Sequence, residues 1–342
     1  MFYDGSHLLS LKDINGKEPE IYLCTSNRSA GKTTFFGRYL VNQFKRKKKK
    51  FGLLYRYSYE LSDCEDKFFA EIGRLFFPND IMTAESRARG KFKELFLNEE
   101  PCGYAIAIND SENIKKLSHL MADMETLFFD EFQSESGKYV PDEIKKFVSI
   151  HFSLARGGGK AVKHLPIIMC GNTVTLINPY YTALGISERL RNDTKFLRGD
   201  GFVLEAGFVS SVGNEQKKSG FNRAFAGNSY IQYASENVYL NDNRAFIEKP
   251  NGKSNYLATV KCDGKNYGIR EFPEFGFVYC DNKPDMTFPL KISVTTAEHE
   301  TNYIMLRNND NFLRVMRFYF ERGCFRFKNI ECKHAILKTL TL

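Results

Sequence analysis

Short apolar runs alternate with longer amphipathic stretches through the first 170 residues, which predicts strand and helix in turn. Ile21–Thr25 reads as a strand, and a helix follows from Lys32 to about Lys45, with Phe35, Phe36, Tyr39, Leu40 and Phe44 as its apolar stripe. Phe51–Tyr57 reads as the next strand, before a helix carrying Phe68, Phe69, Ile72, Leu75 and Phe76. Tyr104–Ile108, Leu127–Phe129 and Leu165–Cys170 are further strands, with a helix over 141–155 between the last two. Strands that are apolar on both faces and alternate with helices predict an α/β fold with a mostly parallel, doubly covered sheet.

The pattern changes after about residue 205. Asn214–Asn228 is rich in Gly, Ser, Asn and Lys, the composition of a linker or small lid subdomain. Tyr256–Val260, Lys265–Arg270, Gly276–Cys280 and Leu290–Thr295 then read as four short strands, and Asn311–Glu321 as a helix. The expected division is 1–205, 206–233 and 234–342.

Charge and cysteine content narrow this little but usefully. The net charge of +8 divides at residue 233 into about +5 and +3, so the excess is spread along the chain, as suits a protein that meets a polyanion. The eight cysteines form no C-x-x-C pair, and several lie in apolar runs, which points to buried free thiols in a reducing compartment. No run of eighteen apolar residues occurs and the N-terminus does not resemble a signal peptide, so the expectation is a cytoplasmic protein without a membrane partner.

The chemistry concentrates at four places. Ser26-Asn27-Arg28-Ser29-Ala30-Gly31-Lys32-Thr33 has the form of a phosphate-binding loop, with Ser26 where glycine is usual. Such a loop turns backbone N–H groups toward a triphosphate; Lys32 would reach its outer phosphates, and Thr33 would ligate Mg2+ at the start of a helix. Leu127–Phe129 ends in Asp130 and Glu131, the first suited to Mg2+ and the second to a water acting as nucleophile. Asn172, at the tip of the 165–170 strand, is placed to sense the outermost phosphate of ATP. Arg156 closes the 141–155 helix ahead of Gly157-Gly158-Gly159, where an arginine could act on a neighbouring subunit's nucleotide. Basic residues that could meet the backbone of a polyanion are Lys138 and the run Arg87, Arg89, Lys91 and Lys93, with Arg326 and Lys328 further along; an ordinary surface charge is the default reading of each. The six basic residues Lys45–Lys50 read as a solvated helix end that complements the helix dipole.

Arg28 within the loop, Asp130-Glu131-Phe132 and the Gly171-Asn172-Thr173 strand tip together resemble viral genome-packaging ATPases of the terminase class. The chain length and domain plan resemble the phi-29-like packaging ATPases of small tailed phages. The resemblance implies an additional-strand ATPase domain of the RecA and FtsK type and an RNase H-like C-terminal domain. It also implies ATP and Mg2+ as cofactors, and a ring of five subunits around double-stranded DNA at the portal of an empty procapsid in the host cytoplasm. A structural RNA is a further partner in such motors, and Arg56 matches a basic position that terminases carry after the first helix. Terminases cut DNA with clustered acids, whereas Asp263, Glu271, Glu274, Asp281 and Asp285 are scattered here, so the expectation is a vestigial nuclease that binds without cutting. The alternatives are an active terminase nuclease, a non-packaging P-loop ATPase on nucleic acid, and a DNA-binding protein with a static nucleotide site.

Overall fold

The computed structural model describes residues 3–63, 68–156, 162–175, 178–186, 189–190, 194–207, 209–225, 230–231, 245–321 and 324–341. The chain forms two compact units and passes between them repeatedly. One comprises Met1–Phe132, Lys145–Thr173 and Asn192–Val238; the other comprises Gln133–Ile144, Val174–Arg191 and Tyr239–Leu342.

The first unit is built on a nine-stranded sheet. Its strands are β1 (Ile21–Ser26), β2 (Lys50–Tyr55), β3 (Met82–Arg87), β4 (Phe92–Leu97), β5 (Glu100–Ala107), β6 (Met124–Phe129), β7 (Ile167–Asn172), β8 (Phe196–Gly199) and β9 (Phe202–Ala206). They lie in the order β3-β4-β5-β2-β6-β7-β1-β9-β8. The six from β5 to β9 pair in parallel, while β3, β4 and β8 add antiparallel edges. The central strands are buried almost end to end because helices cover a parallel sheet on both faces. The helix Lys32–Lys47 contributes Phe36, Leu40, Val41 and Phe44 to the core and ends where Lys48 turns left-handed and its N–H bonds the Phe44 carbonyl. The basic run that closes it meets acids from neighbouring elements: Lys45 with Asp80, Lys48 with Glu100, Lys49 with Glu125 and Lys50 with Asp123.

The second unit carries β10 (Asn255–Cys262), β11 (Lys265–Phe272), β12 (Phe277–Asp281), β13 (Lys291–Ser293), β14 (Ile304–Met305) and β15 (Phe325–Phe327) in the order β14-β13-β10-β11-β12-β15. β10, β11 and β12 form an antiparallel meander, and β13, β14 and β15 join in parallel. Asp263 and Gly264, both at positive φ, make the tight turn between β10 and β11. Helices Asp310–Glu321 and Ile330–Thr341 complete the core through Phe312, Met316, Cys332, Ala335 and Ile336.

These units differ from the division 1–205, 206–233 and 234–342. The 206–233 stretch contains helices Ser210–Lys218 and Gly220–Ala224, which group with the first unit. The segments that follow β6 and β7 group with the second, where their polar groups find partners. Gln133 accepts the Thr175 N–H at 3.1 Å, Tyr180 donates to Glu143 at 2.6 Å, and buried Lys333 donates to the Thr175 hydroxyl at 2.9 Å. No described helix is long and apolar enough to cross a membrane.

Candidate functional site

Parallel register brings three strand tips together. β7 lies between β1 and β6, with Ser26 opposite Asn172 and Phe129 opposite Met169. Beyond β1 the chain enters the 26–33 loop, where Ser29 and Gly31 take positive φ of 60° and 92°. Such left-handed turns face successive N–H groups inward, and Gly31 adopts its turn at little cost because it lacks a Cβ. The loop is anchored from behind, since the Ala30 carbonyl accepts the Tyr3 N–H at 2.8 Å and Tyr3 packs against Phe35 and Phe36.

Lys32 occupies the centre and is only 6% exposed. Its ammonium donates to the Ser26 hydroxyl at 3.0 Å, the Asn27 carbonyl and Asn172 Oδ1 each at 3.1 Å, and the Ser26 carbonyl at 3.4 Å. Ser26 thus contributes a hydroxyl acceptor where glycine would leave a gap. Thr33 donates to Asp130 Oδ2 at 2.7 Å. Desolvation pushes the Asp130 carboxyl above its ordinary range, opposed by the Thr33 hydrogen bond and the Lys32 charge. A hydroxyl and a half-buried carboxylate in contact, beside a loop of inward N–H groups, form a hard-oxygen donor set that fits Mg2+.

Glu131 follows with its backbone at φ 54° and its N–H on Asp130 Oδ1 at 3.0 Å, which leaves its side chain exposed. Arg56 is 8% exposed and braces this turn. It donates to the carbonyls of Glu131 at 3.2 Å and Phe132 at 2.7 Å, with its guanidinium over the Phe129 ring at 5.4 Å.

The structure therefore draws Ser26, Asn27, Lys32, Thr33, Asp130, Glu131, Asn172 and Arg56 into one connected site. Arg156 stands apart as an exposed residue beyond helix Glu143–Leu154; the glycines at 157–159 lie outside the described residues. The basic run falls on the β3–β4 hairpin and is largely engaged within the chain. Arg87 pairs with Glu85 and Glu94, Lys91 pairs with Asp110 at 3.3 Å, and Lys93 reaches the Ser62 carbonyl at 3.4 Å, while Arg89 sits exposed in the turn. Lys138 is exposed, its N–H on the Ser134 hydroxyl at 3.1 Å. Arg326 lies over the Phe277 ring at 5.5 Å, and Lys328 donates to Asn282 at 2.8 Å.

Sequence pattern missed the contacts that hold the loop from its far side. The Asn27 carboxamide accepts the Val209 N–H at 2.9 Å and donates to the Val209 carbonyl at 3.4 Å. Gln216 donates to the Arg28 carbonyl at 3.2 Å, and the Arg28 guanidinium donates to the Tyr230 hydroxyl. These partners lie some 180–200 residues from the loop, so no local spacing announces them.

A family model described as Podovirus DNA encapsidation protein (Gp16) matches residues 1–340. The DNA packaging protein of Bacillus phage phi29 is 22% identical over 333 residues, covering 96% of this chain and 94% of its own. That of Bacillus phage B103 is 22% identical over 308 residues, covering 88% and 90%. Among solved structures, the Phi-28 gp11 DNA packaging motor is similar in fold with a TM-score of 0.59 at 17% identity, covering 100% of this chain and 98% of that one. The bacteriophage Phi-29 viral genome packaging motor assembly gives 0.57 at 21% identity, covering 96% and 95%.

Proposed function

This chain belongs to the podovirus DNA encapsidation protein (Gp16) family, and on that premise we propose that it is the ATP-driven motor that moves double-stranded DNA into an empty capsid. The observation that carries the chemistry is Lys32, buried at the meeting of three strand tips with its ammonium on both the loop and Asn172. The strand between β1 and β6 supports the additional-strand class of ATPase, since it places a polar residue between the loop and the acidic pair.

In this reading the 26–33 loop and helix Lys32–Lys47 bind the triphosphate, and Lys32 leaves its present acceptors for the β- and γ-phosphates. Thr33 and Asp130 would hold Mg2+, which would supply neutralising charge to the phosphate oxygens. Glu131 orients and deprotonates the attacking water, and Arg56 holds the turn that presents it. Asn172 exchanges Lys32 for the γ-phosphate and so registers whether it is present. Arg156 acts in trans, on the nucleotide of the next subunit in a ring of five. The DNA backbone, the capsid portal and a structural RNA are the partners the family reading supplies; the motor works in the host cytoplasm, attached to the procapsid.

For the C-terminal unit, the order β12-β11-β10-β13-β14, with its antiparallel meander and parallel extension, supports an RNase H-like reading. Its acids serve structure instead of converging. Asp263 pairs with Lys338, Asp281 with Arg270 at 3.3 Å, and Glu271 accepts from Tyr319. We propose that this unit binds without cutting; nicking of supercoiled plasmid with manganese, abolished by Asp263→Ala, would overturn that part.

Steady ATP turnover stimulated by DNA tests the whole. Lys32→Ala and Glu131→Gln should each lower it by roughly 10²–10⁴-fold. Turnover that survives both substitutions removes the proposal.

A further inference from the structure

Helix Glu143–Leu154 buries one side and exposes the other in the usual 3.6-residue rhythm. Phe147, Ile150 and Leu154 form the inward side, at 8%, 1% and 0% exposed. At the apex of the outward side polar residues are expected, yet Val148 and Phe152 stand there, 42% and 58% exposed. The Lys163 N–H bonds the Ala155 carbonyl at 2.8 Å, which returns the chain beside the helix end and brings Val162, 66% exposed, to the same region. Lys145, Val148, Phe152 and Arg156 recur at intervals of three and four, so the apolar stripe runs directly toward Arg156.

We infer that this stripe is a docking face for a second copy of this chain, and that it seats Arg156 at the neighbour's nucleotide site. The inference rests on the ring reading above and identifies the surface that closes the ring. Charge complementarity selects the occupant. The rim of the nucleotide site exposes Glu71 and Glu131 beside Asp130, and Glu71 is fixed there by the Thr34 hydroxyl at 3.2 Å. One chain therefore carries a basic, apolar donor face and an acidic acceptor rim. Head-to-tail rings need that pairing, because each subunit presents two different surfaces to its two neighbours. Val148 and Phe152 supply the anchoring contacts and exclude water, and Arg156 supplies the charge that the desolvated contact strengthens. Val148 and Phe152 are positioning residues: they act on turnover through Arg156.

The test compares the full-length chain with Phe152→Glu and Val148→Glu in the presence of double-stranded DNA and a slowly hydrolysed ATP analogue. Three quantities are measured: assembly by sedimentation velocity, DNA-stimulated turnover, and affinity of the isolated chain for a fluorescent ADP analogue. Both positions are exposed, so the variants should melt with the wild type and bind the ADP analogue within twofold of it. Assembly should be lost and turnover should fall at least tenfold, to the level of Arg156→Ala, while Phe152→Leu retains both. If the wild type assembles and Phe152→Glu assembles and turns over equally well, the inference is overturned while the ring reading stands. If the wild type stays monomeric, the ring reading fails and takes this inference with it. Weakened ADP binding in both glutamate variants would also overturn it, because the stripe would then serve its own subunit's site.

Discussion

Asp130 sits where its own ionisation costs the fold stability. Its carboxylate is held in a poorly solvated position, and desolvation raises its pKa in the folded chain. A raised acid costs nothing below the unfolded pKa, where both states are protonated, and its stability contribution is lost as pH rises through the folded value. Asp130→Asn should therefore raise thermal stability at pH 7.5 without nucleotide or Mg2+. The gain should vanish toward pH 4, and the variant should fail to hydrolyse ATP; melting curves across that range, with Mg2+ and ATP present and absent, check both halves. Ser26 makes the opposite point at the same scale. The sequence marks it as a departure from the usual glycine, and the structure turns the departure into a contact, because its hydroxyl is the nearest acceptor of Lys32 at 3.0 Å. Ser26→Gly should keep turnover within about tenfold, since the inward N–H groups and the Gly31 turn remain.

Among the elements, those that carry the site were legible in the sequence. β1, β6, β7 and helix Lys32–Lys47 are continuous apolar runs or clean helical stripes, and their ends are marked by charged or glycine-rich punctuation. The missed elements lacked such signals. β3 reads Met-Thr-Ala-Glu-Ser-Arg, mostly exposed and polar because it is a sheet edge, so only half a period of burial shows. β8 and β9 are short, and β15 has three residues. Close approach between strands is likewise invisible in the sequence. Gly103 on β5 is paired with Phe51 on β2, and a Cβ there would lie 2.1 Å from the Phe51 carbonyl oxygen. Backbone cannot yield as a side chain does, so Gly103→Ala should part β5 from β2 and destabilise the unit by about 2–3 kcal/mol, read from a denaturation midpoint. Phe36→Ala, which removes a fully buried ring packed between Tyr3, Phe35 and Phe128, should cost about 3–5 kcal/mol by the same measurement.

On the scale of the whole molecule, a motor that passes every sequence of a genome should hold the phosphate backbone and ignore the bases. DNA affinity of the full chain should then fall steeply and log-linearly with salt and change little between unrelated sequences. Filter binding from 50 to 200 mM salt distinguishes this from base-specific recognition, which would keep a strong sequence preference. What the sequence hid at this scale was the division into units. The stretches after β6 and β7 look like ordinary connections, because local pattern carries no information about which core a segment joins; Tyr180 and Val140 are as apolar as any strand residue.

That crossing of the chain between units bears on how the protein is made. Gln133–Ile144 and Val174–Arg191 leave the ribosome well before Tyr239–Leu342, the bulk of the unit they join. At roughly 5–20 residues per second, they wait many seconds for their partners. During that interval Val140, Tyr180 and Tyr181, all buried in the finished chain, are open to solvent. Synthesis stopped before the last hundred residues should thus yield a chain that associates with chaperones or aggregates, and completion of the C-terminal unit should end that exposure.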